Sequence, residues 1–334
     1  MSFGLKQLSK MIPGGGNISP VALLTDLQKI FQELSPDDQP EASQSSYWED
    51  EIKNVSITEQ GDILGDSVLG TIAPKSPIRS FYCGAMQLPF LAMSKNFRSL
   101  RKIHHYGRII ANNQNRILTL DILRQVLALE SIVSAGIDFS DSKQNNVVIG
   151  DGCGVMGSLL LQHTPHRQTI MVNLRKSLLV DLFSIKKTFP ETSIALAKTQ
   201  QDLNDTLSRP DIQIIGIMAD DAELLKTIPI GLVINIVSMQ EMNLPIINNY
   251  FDIIRNNPCP NTYFYCCNRL YKKLYGGEEI RFDDYPWDSR DEILIDEMSP
   301  WNQWYYVKMP PFWRYRRGAD RVIWHRLARM AKAS

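Results

Sequence analysis

No stretch of this 334-residue chain approaches the roughly 20 consecutive apolar residues of a membrane-spanning helix. Charge of one sign is also lacking in excess. Lys plus Arg and Asp plus Glu both number 36, so no global field favours nucleic acid or repels an acidic substrate. Cysteines are five, an odd number with no C-x-x-C pair, which argues against a disulfide framework or a zinc knuckle and suits a reducing compartment. The opening MSFGLKQLSKMIPGGG carries Lys6 and Lys10 and lacks the apolar stretch of a signal peptide. These absences predict a cytoplasmic protein that binds no nucleic acid and has no membrane span. Its oligomeric state is not legible.

What is present is a globular composition, 44% hydrophobic, without internal repeats or low-complexity segments. Ser19-Pro20 followed by VALLTDLQKIFQEL is a helix start, and SPDDQPEASQSS after it is a polar breaker. Residues 1–118 therefore read as an accessory region of helices and loops. From Thr119 the run LDILRQVLALESIVSAG has helical periodicity and stops at Gly136. Beyond it, the apolar runs NVVIG, QTIMVNL, DIQIIGIMA, GLVINIVS and TYFYCCN alternate with GVMGSLLLQH, RKSLLVDLFSIKKTF, DDAELLKTI and LPIINNYFDIIRNN. Apolar strands separated by helices predict a doubly wound α/β domain over 119–334, its ligand at the carboxyl ends of the strands. Adjacent Cys266 and Cys267 fall in one such strand and read as packing residues. The segment from Arg269 to Ser334 is aromatic-rich and broken by prolines.

The turn VVIGDGCGVMG, 147–157, admits two cofactor readings. Gly152, Gly154 and Gly157 form the G-x-G-x-x-G of a dinucleotide site, whereas Gly150, Gly152 and Gly154 form the G-x-G-x-G of a methyl-donor pocket. Either needs glycine where the backbone must come close to a ligand. For a dinucleotide, Arg175-Lys176 after the second strand would suit a 2′-phosphate and hence NADP. No Tyr-x-x-x-Lys dyad occurs, which removes the commonest short-chain reductase or epimerase chemistry. S-adenosylmethionine requires a glycine turn for its amino-acid end, then polar groups for the ribose and for the adenine amine. The chain supplies the turn, then Asn173, then Asp220-Asp221, in that order. Each of the three polar residues could equally cap the helix that follows it.

The chain resembles the bacterial sugar O-methyltransferases through SSYWEDEI at 45–52, VIGDGCGVMG at 148–157, VNLRKSLLVDL at 172–182, INIVSMQEM at 234–242, CNRL at 267–270 and DYPW at 284–287. The resemblance implies a Rossmann-like methyltransferase sheet with a helical N-terminal extension, acting with S-adenosylmethionine on a hydroxyl of a sugar, whether nucleotide sugar, polysaccharide or glycolipid precursor. The cofactor set under this reading is Gly150, Asp151, Gly152, Gly154, Asn173, Asp220, Asp221 and Ser238. Two positions depart from the family pattern: Val148 stands where an acid usually precedes the first glycine, and Asn173 where the second strand usually ends in Asp. They leave a methyltransferase-like protein that binds without turnover as an alternative, beside an NADP-dependent sugar reductase or epimerase.

Methyl transfer to a hydroxyl is an in-line displacement needing alignment and a proton acceptor. Glu241 in SMQEM is the first candidate base, with His104 and His105 of LRKIHHYG as the others. Asn268 and Arg269 follow the fifth apolar strand, where Arg269 could hold a carboxylate or phosphate of the acceptor. Asp284 and Trp287 complete the expected substrate set, Trp287 as a platform for a sugar ring. Asp283, Asp284 and Glu241 offer oxygen ligands for a divalent cation, although no spacing establishes one. The segment 308–334 holds eight basic residues against one acid. That excess suits a diphosphate-linked sugar or peripheral contact with an anionic membrane, or merely a solvated face beside a closing antiparallel strand RVIWHRL.

Overall fold

A computed structural model of the chain describes residues 20–34, 41–47, 56–58, 63–64 and 75–333. The N-terminal stretch with Lys6 and Lys10, the helix-start Ser19, residues 35–40 of the polar breaker and residues 48–52 of the SSYWEDEI motif lie outside the described residues.

The apolar runs form parallel strands β1 (Asn145–Ile149), β2 (Thr169–Asn173), β3 (Ser193–Leu196), β4 (Ile212–Met218), β5 (Ile230–Ile236) and β6 (Tyr263–Arg269). Strands β7 (Glu292–Met298) and β8 (Ile323–Arg329) close the sheet as an antiparallel hairpin, β8 pairing with β6. The order across the sheet is β7-β8-β6-β5-β1-β2-β4-β3.

Successive side chains of a strand face opposite layers. Val148, Met171 and Ile234 pack into one core, with helices α1 (Pro20–Glu33), α2 (Pro77–Leu91), α3 (Phe97–Asn113), α4 (Leu120–Ser134), α5 (Val155–His163) and α6 (Arg175–Thr188). Val147, Ile170 and Val233 pack into the other, with α7 (Gln200–Leu207), the 3₁₀ turn Ala219–Thr227 and α8 (Leu244–Asn256). A mostly parallel sheet between two helical layers is the expected α/β architecture, compatible with a Rossmann-like fold. The accessory helices share the first of these cores, Leu23, Leu27, Ile103 and Ile110 being fully buried there.

Three elements of the sheet and its covering layers went unforeseen, the edge strand β7 among them. Strand β3 is four residues long and half-buried at the sheet edge, and α7 follows it, so neither carries a continuous apolar run. The helix from Thr119 forms as expected: the Thr119 hydroxyl accepts the Ile122 N–H, and Gly136 takes φ +84° just past the end. Cys266 and Cys267 are fully buried free thiols, pushed upward in pKa by burial, Cys267 to about 12. Among the described residues no helix is long and apolar enough to cross a membrane.

From β1 the chain runs outward to β2, β3 and β4, then crosses to β5 on the other flank of β1. The carboxyl ends of β1 and β5 thus border the point where the winding reverses, where open α/β sheets place their ligands.

Candidate functional site

A cavity of about 400 Å³ opens at that reversal. Gly150, Asp151, Gly152 and Cys153 line it after β1, and Ile236, Val237 and Ser238 after β5. The approach to α4 and its first turns contribute Arg116, Thr119, Asp121, Arg124 and Gln125. Tyr47, Glu241, Arg269, Asn302 and Arg316 complete most of the wall.

The glycines of the turn serve different neighbours. Gly150, at φ +69°, has no room for a Cβ because Ser238 Oγ occupies that place. Gly154 and Gly157 are held close by packing, one against the Asp181 carbonyl and Ile185 of α6, the other against Met171 of β2. Gly152, at φ +83°, has nothing within 4 Å of its missing Cβ and lines the cavity. At Gly150 and Gly154 the close approach is therefore made by protein atoms and at Gly152 the missing side chain leaves open space, while Gly150 and Gly152 both line the cavity.

Hydrogen-bond donors at the start of α5 are already used. Asp151 accepts the Met156 and Gly157 N–H groups at 3.1 and 2.8 Å, and Asp181 accepts the Gly154 N–H at 2.9 Å. Asp181 is buried, and Asp151 is half-buried at the cavity wall. Burial raises Asp151 to about 6, and burial together with the Asp151 charge raises Asp181 well above the ordinary carboxylate range. Asn173 donates to Asp181 at 2.9 Å while its own oxygen takes the N–H of Leu174, the N-cap of α6; it does not cap the helix, since no side chain does.

A buried amide network sets the opposite wall. Asn235 donates to the Ile149 carbonyl at 2.9 Å and accepts from the Met239 N–H and from Asn268 Nδ2, at 3.1 and 2.8 Å. Asn268 accepts the Gln240 N–H at 3.1 Å, and Gln240 Oε1 accepts the Arg269 N–H at 2.9 Å. This mesh over-determines Val237, whose φ of +57° is strained for a β-branched residue. It also presents Glu241, 8% exposed, to the cavity, where Lys272 donates to its carboxylate at 2.7 Å. Burial nevertheless outweighs Lys272, and the Glu241 pKa lies above its ordinary value.

Residues Glu41–Tyr47 lie across the strand ends. The Glu41 carboxylate accepts the Arg175 N–H at the start of α6, at 2.9 and 3.0 Å, and Asp220 accepts the Ala42 and Ser43 N–H groups at 3.0 and 2.7 Å. Ser45 Oγ donates to the Glu241 carbonyl, and Tyr47 lies under Lys272. Beneath this strap a space of about 20 Å³ remains beside Asn173, Ala219, Met242 and Tyr250. Asp221 is half-buried, its pKa raised by burial and then by Asp220.

Several expected residues stand elsewhere. His104 and His105 do not line the cavity: α3 buries Leu100, Ile103, Gly107 and Ile110, which points both histidines off that stripe. Asn268 is fully buried inside the amide network, so it positions and does not contact substrate. Trp287 is no sugar platform, because it packs among Phe251, Phe264 and Phe282 with Arg326 over its ring. Asp284 is exposed in a 3₁₀ turn away from the cavity. Among the described residues no three His, Cys, Asp or Glu side chains gather as a metal site, so Asp283, Asp284 and Glu241 are not brought together. In the basic C-terminal segment, Arg326 and Arg329 pair with Asp296 and Glu292 of the neighbouring strand, as a solvated face would.

Sequence reasoning missed Arg116, Asp121, Arg124 and Arg316 on the wall and Asn235 and Gln240 behind it. One signal was available: Asn235 interrupts the apolar run GLVINIVS, and a buried amide there demands partners. Neither a protein-family model nor a curated protein matches the chain.

Proposed function

We propose that this protein is an S-adenosylmethionine-dependent O-methyltransferase acting on a sugar hydroxyl. The observation that carries the reading is the donor account at the glycine turn. A dinucleotide rests its diphosphate on free amides at the start of this helix, and here Asp151 and Asp181 already fill them. The Asp151 carboxylate at the cavity wall, raised only to about 6, opposes a diphosphate and suits a ligand carrying an ammonium and a sulfonium.

The amino-acid end of the cofactor fits the residues present. Arg116 is 8% exposed, lines the cavity, and has Nε and one terminal nitrogen buried without a partner, as a carboxylate ligand requires. Gly152 leaves its wall clear. The adenosine end fits once Glu41–Ser43 leave Asp220 and the start of α6. When bound, the cofactor supplies an electrophilic methyl group. Glu241 accepts the proton of the acceptor hydroxyl, and the amide network holds that carboxylate in line with the cavity.

A second reading, a protein of this fold that binds without turnover, draws on the strap at the adenosine end. Calorimetric titration with S-adenosylhomocysteine and, in parallel, with NADPH separates the readings. Micromolar binding of the first and none of the second is expected. NADPH binding alone would overturn methyl transfer, and binding of neither would favour the second reading.

A further inference from the structure

The cavity gathers more positive charge than its own carboxylates neutralise. Arg124 is engaged: it pairs with Asp121 at 3.1 Å and donates to the Trp301 and Trp304 carbonyls at 3.3 and 2.8 Å. Glu241 is engaged by Lys272. Arg116 has its role at the amino-acid end of the methyl donor. Arg269 and Arg316 remain. Both line the cavity, both are half-buried, and among the described residues neither reaches a carboxylate within ion-pair distance.

Each is held by its backbone while its guanidinium is left unspent. The Arg269 N–H is fixed on Gln240 Oε1 at 2.9 Å, and its Nε is buried without a hydrogen-bond partner. The Arg316 N–H donates to the Gln303 carbonyl at 2.7 Å, and its guanidinium lies 5.9 Å from the Tyr305 ring centroid. The two charges also feel each other: burial, then Arg269, depresses the pKa of Arg316. Like charges in a shared, partly desolvated wall are unfavourable until an anion joins them. A monocarboxylate is satisfied by one planar fork. A phosphoryl group, with three oxygens and up to two charges, takes two.

We infer that Arg269 and Arg316 form a phosphoryl-binding subsite, so that the acceptor sugar carries a phosphate or diphosphate. The subsite stands on the arginines alone; its role in methyl transfer rests on the function proposed above. Arg269 also lies within the electrostatic reach of Glu241. A phosphoryl anchor there fixes how far along the sugar the reacting hydroxyl falls.

The experiment titrates the full-length protein with inorganic pyrophosphate, with glucose 1-phosphate and with malonate at one ionic strength, and repeats each on Arg269→Gln/Arg316→Gln. Pyrophosphate and the sugar phosphate should bind more tightly than malonate, and the double variant should weaken both about tenfold or more, equivalent to roughly 1.4 kcal/mol. S-adenosylhomocysteine binding should be unchanged. Arg269→Lys/Arg316→Lys, which keeps charge and loses the forks, should fall between the two and guards against a folding defect in the Gln variant. Equal binding of malonate, or pyrophosphate binding that survives both double variants, overturns the subsite. Arginine-dependent pyrophosphate binding without any S-adenosylhomocysteine binding would leave the subsite standing and remove methyl transfer.

Discussion

Lys272 donates to the Glu241 carboxylate at 2.7 Å while its ammonium stands 3.6 Å from the ring centroid of Tyr47. The pair joins the catalytic candidate to the strap that crosses the strand ends. Burial raises Glu241 and Lys272 pulls it back down. A base must be ionised, so activity should fall as pH drops through the Glu241 pKa. Lys272→Gln removes the lowering charge and should move the acidic limb of kcat/KM upward by about one pH unit. A limb that stays in place would show that Glu241 is not the group titrating.

Glu241→Gln tests the base itself. The amide keeps the shape and the contact with Lys272 but accepts no proton. We expect kcat to fall by roughly 10²- to 10⁴-fold with S-adenosylhomocysteine affinity retained. Full turnover with normal cofactor binding would eliminate Glu241 as the acceptor.

Much of this architecture was legible in the sequence because burial and chain period agree. Runs such as TIMVN and GLVINIVS are apolar on both faces, which only a sandwiched parallel strand satisfies. Strand β3 was illegible for the converse reason, being short and open on one edge. In the site, glycine spacing located the turn but not its purpose, since Gly150 and Gly154 give way to Ser238 and Asp181, residues 88 and 27 positions distant in the chain (238 − 150 and 181 − 154). Trp287 and Asn268 misled because a polar or aromatic side chain after a strand reads the same whether it faces a cavity or a core. The arginines at 116 and 316 reach the cavity from segments outside the sheet, and no local pattern announces that convergence.

The half-buried Asp151 and the buried Asp181 carboxyls predict an unusual stability profile. A carboxyl whose folded pKa is raised favours the folded state fully below its unfolded pKa and loses that contribution as pH climbs through the folded value. For Asp151 the window runs from about 4 to about 6. The ligand-free protein should therefore lose on the order of 3 kcal/mol between those limits, since two pKa units correspond to that amount. Asp151→Asn, which still offers one oxygen to the helix start, should flatten the dependence in thermal unfolding scans at pH 5 and pH 7.5. An unfolding midpoint that rises with pH in the parent would contradict the assignment.

The amide network should be costly to open. Asn235→Ala strips partners from the Ile149 carbonyl, the Met239 N–H and Asn268 together. Leaving buried polar groups unpaired costs roughly 1–3 kcal/mol each, so denaturant unfolding should show a loss of at least about 2 kcal/mol. The strain at Val237 should then relax and Glu241 lose its aim. A variant with parental stability would mean that the network does not hold the turn.

The strap offers the sharpest contrast between a gate and a structural brace. Glu41 and the amides of Ala42 and Ser43 satisfy the start of α6 and Asp220, the groups that adenosine would meet. If they must leave for cofactor to enter, weakening them lowers the cost of entry. A carboxylate on a helix-start amide contributes about 1 kcal/mol. Glu41→Ala should thus tighten S-adenosylhomocysteine binding about fivefold while leaving the unfolding midpoint of the ligand-free protein equal or lower. Weaker binding in the variant would instead make Glu41 part of the cofactor site, with its carboxylate turned to the ribose hydroxyls in place of Asn173, whose amide is already committed to Asp181.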